Sequence, residues 1–408
     1  MRRVVVTGMS LVSSLGFSPE AAFERLHKYE NTVRYMEELE QYERLNTKLA
    51  APIEDFKTPE HYTRKVLRTM GRVSVMSVAC TEKALEQAGL LDDPIIQNGR
   101  TGVSYGSSSG TMEALIDFYS MQVEKSVKGL TSGSYVKMMA HTAPVNISMY
   151  FKTTGRLITT STACTSGSLG VGSAYEAIQN GYADVMIAGG SDELHPTQIA
   201  IFDTLYATSQ KNSHPELTPS PFDAERDGLV IGEGAGTIIL EEYEHAKKRG
   251  ADIIAEIIGF GTNTDGNHIT TPNRPTVAKV MELSLKSANL SPDKIGYVNA
   301  HGTGTIQGDM TESNATFDIF KRAVPISSLK SYTGHTLGAC GAIEAILTIE
   351  MMNKKWFAPT LNLNNVDENC APLDYIKHEG REIDTNYVMS NNFAFGGINT
   401  SLIFTNRF

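Results

Sequence analysis

Short runs of apolar and β-branched residues recur along the chain, separated by longer stretches in which charged residues and alanines are mixed. The runs are RVVVTG from residue 3, GVSYGSSSG from 102, ADVMIAGGSDE from 183, IGYVNAHGTGT from 295 and YVMSNNFAFGG from 387. Because they are continuously apolar, they predict buried strands of a sheet covered by helices on both faces. Glycines and serines cluster where the runs end. Since ligands bind at strand ends in open α/β sheets, the pattern predicts an α/β protein with its site there.

Two segments rich in small residues resemble each other. Residues 164–178 (CTSGSLGVGSAYEAI) and 332–346 (YTGHTLGACGAIEAI) are identical at seven of 15 positions at an offset of 168. An apolar run follows each of them, which favours a duplicated α/β unit over the alternative of chance similarity between two Gly/Ala-rich helices. In this register, Cys164 and His335 begin equivalent helices, and a pseudo-twofold axis would bring them face to face.

The junction between the two units is predicted near residue 250. The segment EEYEHAKKRGADIIAEIIGFG (241–261) predicts a helix that ends at Gly250, followed by a new strand. We therefore expect an N-terminal half at 1–250, which carries the cysteine, and a C-terminal half at 251–408, which carries both histidines.

Composition narrows the class of protein. The 408 residues are 41% hydrophobic and 20% charged, and no apolar stretch reaches the 18 residues of a membrane span. A net charge of −10 disfavours nucleic acid as the main partner. Four scattered cysteines are too few for a disulfide framework, and VVVTG near the N-terminus predicts a strand rather than a secretory signal. We expect a cytoplasmic protein.

Cys164 lies between a β-prone run, LITTSTAC, and a helix-like segment, SGSLGVGSAYEAIQNG. At such a turn the helix dipole and free backbone N–H groups favour a thiolate and hold an oxyanion. A buried structural cysteine is the alternative, and Cys80 and Cys340 fit that role better.

His301 and His335 occur in similar Gly/Thr-rich settings, NAHGTGT and KSYTGHTLGACG, where substrate can approach closely. With Cys164 they indicate an enzyme that works through an acyl-thioester. A zinc site is the alternative for these three residues, but no two share the short spacing usual for zinc ligands, so we expect no metal.

Five segments together resemble the type I/II condensing enzymes, the β-ketoacyl-[acyl carrier protein] synthases. They run through the chain in that family's order: STACTSG (161–167), PFDAERDGLVIGEGAG (221–236), GYVNAHGTGTIQGD (296–309), SLKSYTGHTLGACGAIE (328–344) and SNNFAFGGINTSLIF (390–404). The resemblance implies a thiolase-like fold, with duplicated α/β halves in five α/β/α/β/α layers. It also implies a Cys-His-His triad at Cys164, His301 and His335, and decarboxylative condensation of malonyl carrier with an acyl group held on the cysteine.

The resemblance assigns further roles by motif. Lys330 and Glu312 match a pair that orders the histidines, Thr303 and Thr305 match hydroxyls that bind the pantetheine arm, and Phe395 matches the gate of the acyl pocket. The backbone N–H groups of Cys164 and Phe395 would form the oxyanion hole. No cofactor is implied, because the carrier protein supplies the pantetheine.

The partner implied is an acyl carrier protein, which is acidic in such systems. TRKVLRTMGR (63–72) places Arg64, Lys65, Arg68 and Arg72 close together, with Arg64/Arg68 and Arg68/Arg72 on one predicted helical face, and would form the docking patch. The resemblance further implies a homodimer, or a heterodimer with a synthase-like partner.

Three positions depart from the family's pattern. Ser109 replaces a bulky apolar residue of the acyl pocket, Ala394 replaces a gate glycine, and Tyr206 replaces a docking arginine. These differences suit a specialised polyketide or aryl polyene ketosynthase as well as a fatty-acid enzyme. A non-catalytic chain-length factor is disfavoured by Cys164, and a degradative thiolase by His335.

Overall fold

The computed structural model describes residues 1–408 as sixteen strands and thirteen α-helices. The strands are β1 (Val4–Val12), β2 (Arg34–Tyr35), β3 (Leu49–Ala51), β4 (Thr101–Gly106), β5 (Leu157–Thr159), β6 (Val185–Asp192), β7 (Ile231–Gly232), β8 (Gly234–Glu242), β9 (Ala255–Thr264), β10 (Tyr297–Asn299), β11 (Pro325–Ser327), β12 (Trp356–Phe357), β13 (Asp374–Tyr375), β14 (Arg381–Glu382), β15 (Tyr387–Ala394) and β16 (Ile398–Thr405). The helices are α1 (Pro19–Leu26), α2 (Arg64–Leu67), α3 (Arg72–Gln87), α4 (Leu115–Glu124), α5 (Ser132–Met138), α6 (Thr142–Phe151), α7 (Ser166–Gln179), α8 (Pro196–Thr204), α9 (Tyr243–Lys248), α10 (Arg274–Ser287), α11 (Ile306–Phe320), α12 (Lys330–Thr333) and α13 (Cys340–Lys354). All five apolar runs contain strands, as predicted.

The main sheet has eleven strands in the order β13-β11-β10-β15-β16-β9-β1-β8-β6-β4-β5. Outward from the β9/β1 junction, the two sides repeat one pattern. In each, an antiparallel hairpin-like pair (β16 and β15, or β8 and β6) is followed by two parallel strands (β10 and β11, or β4 and β5). The sheet therefore has the pseudo-twofold order expected of two duplicated units. The boundary near residue 250, where α9 ends before Gly250 in a left-handed conformation, remains a prediction.

Alternating side chains along the strands show that helices cover both faces of each half. On β6, Val185 and Ile187 join the apolar cluster of α3, whereas Met186 joins the central cluster of α7 and α13. On β16, Ile403 faces α10 and Leu402 faces the central cluster. Because successive side chains of a strand point to opposite faces, the layers run helix, sheet, helix, sheet, helix. The five-layer α/β fold that the family resemblance implies is confirmed.

The register of the sequence repeat is wrong, although the two halves correspond. A short 3-10 turn precedes each central helix, Ala163–Thr165 before α7 and Leu337–Ala339 before α13. The helices begin at Ser166 and Cys340, so the structural offset is 174 (340 − 166) rather than 168. Three of the seven identities at 168 are glycine or alanine, which both helices use for close packing.

The crossing of the two central helices explains that composition. A Cβ on Gly167 would lie 2.8 Å from the carbonyl oxygen of Gly338, and a Cβ on Gly341 would lie 2.6 Å from the backbone nitrogen of Ser168. These two glycines occupy equivalent positions in α7 and α13. Only glycine allows the backbones to approach so closely, and the approach brings the N-terminal ends of both helices together.

No helix of the structure has the length and apolarity needed to cross a membrane.

Candidate active site

The cysteine of the predicted site lies at the N-terminal end of α7, on the turn that follows β5. Ala163, immediately before it, has a left-handed backbone (φ 50°), and this sharp turn sets Cys164 ahead of the helix. Only 4% of Cys164 is exposed. The backbone N–H groups of Phe395 and of Cys164 itself both face the sulfur. The turn therefore places a thiol beside two backbone donors, as an oxyanion hole requires.

The two histidines come from the other half of the chain and converge on this thiol. His301 follows β10, and His335 lies between α12 and the 3-10 turn that precedes α13. The sulfur of Cys164 and a ring nitrogen of each histidine all lie within 4.8 Å of one another. The imidazole rings meet edge to face, with centroids 5.3 Å apart. Three residues distant in sequence thus form one cluster at the strand ends.

The resting thiol is not a thiolate, contrary to the sequence expectation. Burial raises the pKa of Cys164 to about 11, although the charge of Lys330 and the N–H of Phe395 act in the opposite direction. The backbone N–H groups at the helix end stabilise the thiolate as expected, but the removal of water from around the sulfur destabilises it by more. Deprotonation must therefore accompany the attack on substrate.

Both histidines are neutral at physiological pH. Burial, reinforced by the charge of Lys330, holds the pKa of each imidazole well below its usual range. In His335 the Nδ1 atom accepts the backbone N–H of Leu337 at 3.2 Å, so the ring proton lies on Nε2. His335 is thus a fixed hydrogen-bond donor. The Nδ1 atom of His301 is buried without a partner.

Lys330 forms its ion pair with Glu344, whereas Glu312, with which it was predicted to act, affects its charge without an ion pair. Its Nζ atom lies 2.6 Å from Oε1 of Glu344, and both side chains are buried. Burial opposes the charge on Lys330, but Glu344, Cys340 and Glu312 together raise the lysine's pKa. Glu344 is held in turn by the amide of Asn392 at 2.7 Å. This pair keeps the ammonium of Lys330 protonated behind the triad.

Glu312 holds the histidine loop through its backbone instead. Its carboxylate accepts the N–H groups of His301 and Gly302 at 2.8 and 2.7 Å, and burial raises its pKa to about 8. Asp309, on the same helix, accepts the N–H of Thr303 at 3.0 Å. Helix α11 therefore fixes the turn after β10.

The hydroxyls predicted to bind pantetheine face the same cavity. Thr303 and Thr305 line it, with their Oγ1 atoms 2.9 Å apart. The cavity has a volume of about 340 Å³ and reaches Cys164 and both histidines.

Phe395 also lines this cavity and packs against Phe202, with ring centroids 5.0 Å apart. Ser109 does not line it: its hydroxyl accepts the amide of Gln198, one helical turn before Phe202, at 3.2 Å. The predicted acyl-pocket residue thus contacts α8 and lies outside the lining of this cavity.

The predicted docking patch is smaller than the sequence indicated. Arg64, Lys65 and Arg68 are exposed and form no ion pair. Arg72 instead binds Glu233 through two nitrogens, each 2.7 Å from an oxygen, so it is not free to dock a partner. The prediction of Arg68 and Arg72 on one helical face was wrong, because α2 ends at Leu67 with Arg68 as its cap and Arg72 begins α3.

The zinc alternative is disfavoured by charge. The three donor atoms are close enough for a shared ion, but the buried ammonium of Lys330 acts on all three residues and repels a cation.

Several supporting residues were not singled out from the sequence. Asp192, at the end of β6, accepts the N–H groups of Ser108 (3.0 Å) and Gly338 (2.6 Å) and thereby ties the cysteine half to the turn after His335. Glu344 and Asp309 were also missed. In the sequence, each of these carboxylates stands out only as a charged residue inside an apolar or glycine-rich segment. That position does not predict which residue the carboxylate will bind.

The fold and the site define a condensing-type acyltransferase, in which a buried thiol faces two neutral imidazoles. Residues 1–246 match the family described as "Beta-ketoacyl synthase, N-terminal domain", and residues 254–364 match "Beta-ketoacyl synthase, C-terminal domain". The chain belongs to the β-ketoacyl synthase family.

Individual relatives match over almost the whole chain. The 3-oxoacyl-[acyl-carrier-protein] synthase 2 of Vibrio harveyi is 36% identical over 411 residues, covering 99% of this chain and 98% of that protein. The crystal structure of a beta-ketoacyl synthase from Burkholderia phymatum STM815 is 55% identical, with a TM-score of 0.98 and 99% of both chains covered. The ishigamide ketosynthase/chain length factor is 30% identical, with a TM-score of 0.90 and again 99% of both chains covered.

Proposed function

We propose that the protein is a 3-oxoacyl-[acyl carrier protein] synthase, which extends an acyl chain by two carbons at the expense of malonyl carrier. The observation that carries the proposal is the convergence of the Cys164 sulfur and the two imidazoles within 4.8 Å at the end of one cavity. The matched V. harveyi protein bears this activity in its name.

The first half-reaction is acyl transfer to Cys164. The sulfur attacks the thioester carbonyl of the acyl carrier, the C–S bond to pantetheine breaks, and the thiol proton passes to the departing pantetheine sulfur. The backbone N–H groups of Cys164 and Phe395 stabilise the oxyanion, and one such donor is worth about 3 to 4 kcal/mol. Because the resting thiol is neutral, no free thiolate is exposed before substrate enters.

The second half-reaction, decarboxylative condensation, needs hydrogen-bond donors rather than bases. Malonyl carrier enters the same cavity, and the N–H groups of His301 and His335 bind its thioester carbonyl. Loss of CO2 leaves the bond's electron pair as an enolate, whose oxygen these N–H groups stabilise. The enolate carbon attacks the acyl-cysteine, a C–C bond forms, and the Cys164 sulfur is expelled as a thiolate that takes up a proton from solvent. Neutral imidazoles suit this role, since the proton on Nε2 of His335 is already in place.

The test follows both half-reactions with purified protein, acyl carrier and malonyl carrier. We expect a 3-oxoacyl product two carbons longer by mass spectrometry, and an acyl-enzyme on Cys164 when malonyl carrier is omitted. Absence of product with every acyl chain tried, in the presence of a cognate carrier, would falsify the proposal. A normal acyl-enzyme in Cys164→Ala would show that the nucleophile is wrong.

A specialised ketosynthase that works with a synthase-like partner is the second candidate. It is favoured by the 30% identity to a ketosynthase/chain length factor and by the serine at position 109, where a hydroxyl bonded to Gln198 replaces apolar surface. A panel of saturated and polyunsaturated acyl carriers separates the candidates. Preference for polyunsaturated chains, or activity only with an added partner, would select the specialised enzyme.

A further inference from the structure

Three polar side chains lie at the carboxyl ends of adjacent parallel strands in the half of the chain that carries the nucleophile. Strand β4 pairs in parallel with β5 on one side and with β6 on the other. Ser109 follows β4, Thr162 follows β5, and Gln198 lies on α8, the helix after β6. Ligand-binding side chains collect at such strand ends in α/β sheets. We call these three residues the polar cluster.

The polar cluster adjoins the turn that carries the nucleophile. One member lies two residues before Cys164 in the chain, and its neighbour Ser161 donates from its hydroxyl to the carbonyl of Ser108 at 3.5 Å. Gln198 precedes Phe202 by one turn of α8, so the two share a face of that helix, and Phe202 lines the catalytic cavity. The cluster is therefore next to both the cysteine turn and one wall of the cavity.

An acyl chain on Cys164 extends towards these residues. Thr303 and Thr305, the hydroxyls assigned to pantetheine, come from the C-terminal half together with both histidines. The two substituents of a thioester carbonyl point in opposite directions. With pantetheine on the histidine side, the acyl chain lies on the side of the N-terminal half, where α8 and the turns after β4 and β5 surround the cysteine.

The hydrogen-bonding groups of the cluster are not all used within the chain. Gln198 is only 7% exposed, and its amide nitrogen donates to Oγ of Ser109 at 3.2 Å, but its Oε1 atom is buried without a partner. The Oγ1 atom of Thr162 is also buried without a partner. The hydroxyl of Ser109 accepts one bond and donates none. Because an unpaired buried polar group is destabilising, these atoms indicate a ligand that supplies the missing partners.

The unused groups match one functional group in particular. Oε1 of Gln198 is an acceptor, so it requires a donor, whereas the hydroxyl of Ser109 has a proton left to donate. A ligand hydroxyl satisfies both atoms, because it donates one hydrogen bond and accepts others. A methyl end satisfies neither atom, and a ketone, which only accepts, leaves Oε1 unpaired.

We infer that the acyl chain extended by this enzyme carries a hydroxyl group towards its far end, which donates to Oε1 of Gln198 and accepts from the hydroxyl of Ser109. The inference rests on the proposed function and adds to it the chemical class of the acyl group. Gln198 and Ser109 would then determine specificity, since a site built to bond a hydroxyl rejects the analogue that lacks it.

Binding to Cys164→Ala protein tests the inference without turnover. The probes are acyl-pantetheines in pairs of matched length, such as ω-hydroxyoctanoyl with nonanoyl, in a series from hexanoyl to dodecanoyl. Titration calorimetry gives each Kd. We expect the hydroxyl-ended probe to bind at least about tenfold more tightly than its partner at the length that reaches Gln198. In the same background, Gln198→Leu and Ser109→Ala should each reduce this preference at least about threefold.

A matched variant and a stability measurement serve as controls. Gln179→Leu replaces a partly buried amide at the far end of α7 from Cys164, where it donates to the hydroxyl of Tyr175, and should leave the preference unchanged. Thermal melting by circular dichroism establishes that each variant is folded. If Gln198→Leu does not fold, Ser109→Ala decides the outcome.

Three results would overturn the inference: equal or undetectable affinity for the paired probes at every length, a preference that survives the substitutions, or tighter binding of a keto-ended probe than of its hydroxyl counterpart. Because calorimetry on Cys164→Ala protein needs no turnover, it decides the inference separately from the proposed reaction. A clear hydroxyl preference without 3-oxoacyl product from the wild-type chain would count against the reaction alone. Product formation without a hydroxyl preference would count against the inference alone.

Discussion

At the scale of single residues, the site assigns nucleophilic attack and the binding of the substrate carbonyl to different side chains. Cys164 is a protonated thiol in a dry cavity, and His335 is locked as a donor by the N–H of Leu337. Neither histidine is poised as a strong base, because burial and Lys330 keep both neutral. The site is therefore prepared to stabilise an enolate rather than to hold an imidazolium–thiolate pair.

The first prediction concerns the pH dependence of thiol reactivity. Because the thiolate is the nucleophile and the pKa of Cys164 is raised to about 11, the thiolate fraction rises tenfold per pH unit below that value. Inactivation by iodoacetamide should thus accelerate steadily from about pH 7 to about pH 10. Measured rate constants that level off below about pH 8 would contradict this and indicate a pre-formed ion pair. Cys164→Ala, which should not be labelled at this site, is the control.

The second prediction separates the half-reactions. His335→Ala removes a donor to the malonyl thioester but leaves the thiol and both oxyanion donors, so the acyl-enzyme should still form while condensation falls by about 10² to 10³. Intact-protein mass spectrometry and product formation measure the two steps. Equal loss of acylation would mean that the imidazole acts as the base for Cys164.

At the scale of elements, the site depends on how closely α7 and α13 cross. The crossing sets the turn that bears Cys164 beside the turn that follows His335, and Asp192 links the two through the N–H of Gly338. The helices come from different halves of the chain, so their contact is also the joint between the halves.

The third prediction tests this crossing. A methyl group in Gly167→Ala would lie 2.8 Å from a carbonyl oxygen and 2.9 Å from the nitrogen of Ala342, so the helices must separate. Overpacking of this kind costs about 1 to 3 kcal/mol, which urea unfolding would detect. Ser173→Ala, on a partly exposed position of the same helix, should leave the free energy of unfolding within about 0.5 kcal/mol of the wild-type value. Equal stability of the two variants would refute the prediction.

The sequence predicts the strands and singles out Cys164, His301 and His335, which the structure brings together, for physical reasons that are local. Strands buried on both faces are continuously apolar, and residues that substrate must reach stand in glycine-rich turns. The ion-pair partner of a side chain depends on the tertiary structure instead. Arg72 binds Glu233, which is 161 residues away in the sequence, and Lys330 binds Glu344 because of the way in which α12 and α13 pack.

The repeat register failed for a related reason. At the structural offset, 164–178 aligns with 338–352, and only Gly167/Gly341 and Glu176/Glu350 are identical. The close crossing of α7 and α13 requires the same residue in both halves only at Gly167 and Gly341. Residue identity is therefore a poor guide to the structural alignment of the two halves.

At the scale of the whole molecule, one surface lacks a partner within the chain. Helix α4 buries none of its residues, and Ile116, Tyr119 and Val123 lie on one face of it at helical spacing, all more than half exposed. Strand β5 forms an open edge of the main sheet. Apolar groups of this kind are stabilised by association with another subunit.

The fourth prediction is that the purified chain is a dimer and that Tyr119→Glu shifts it towards monomer, because a charge would be buried in the contact. Sedimentation velocity measures the mass, with Tyr182→Glu as the control on a remote exposed tyrosine. A monomeric wild-type chain that becomes a dimer only with a synthase-like protein would replace the homodimer by a heterodimer.

The position of the nucleophile also bears on how such a gene can evolve after it is copied. The side chain of Cys164 makes no hydrogen bond that holds the fold together, whereas the helix crossing, the Lys330–Glu344 pair and the exposed face of α4 are all independent of it. A single codon change at this position would abolish the chemistry and leave stability and assembly almost intact. A duplicate that loses its thiol would therefore persist as a folded subunit, still able to pair with the active copy and free to acquire a new role in shaping the product.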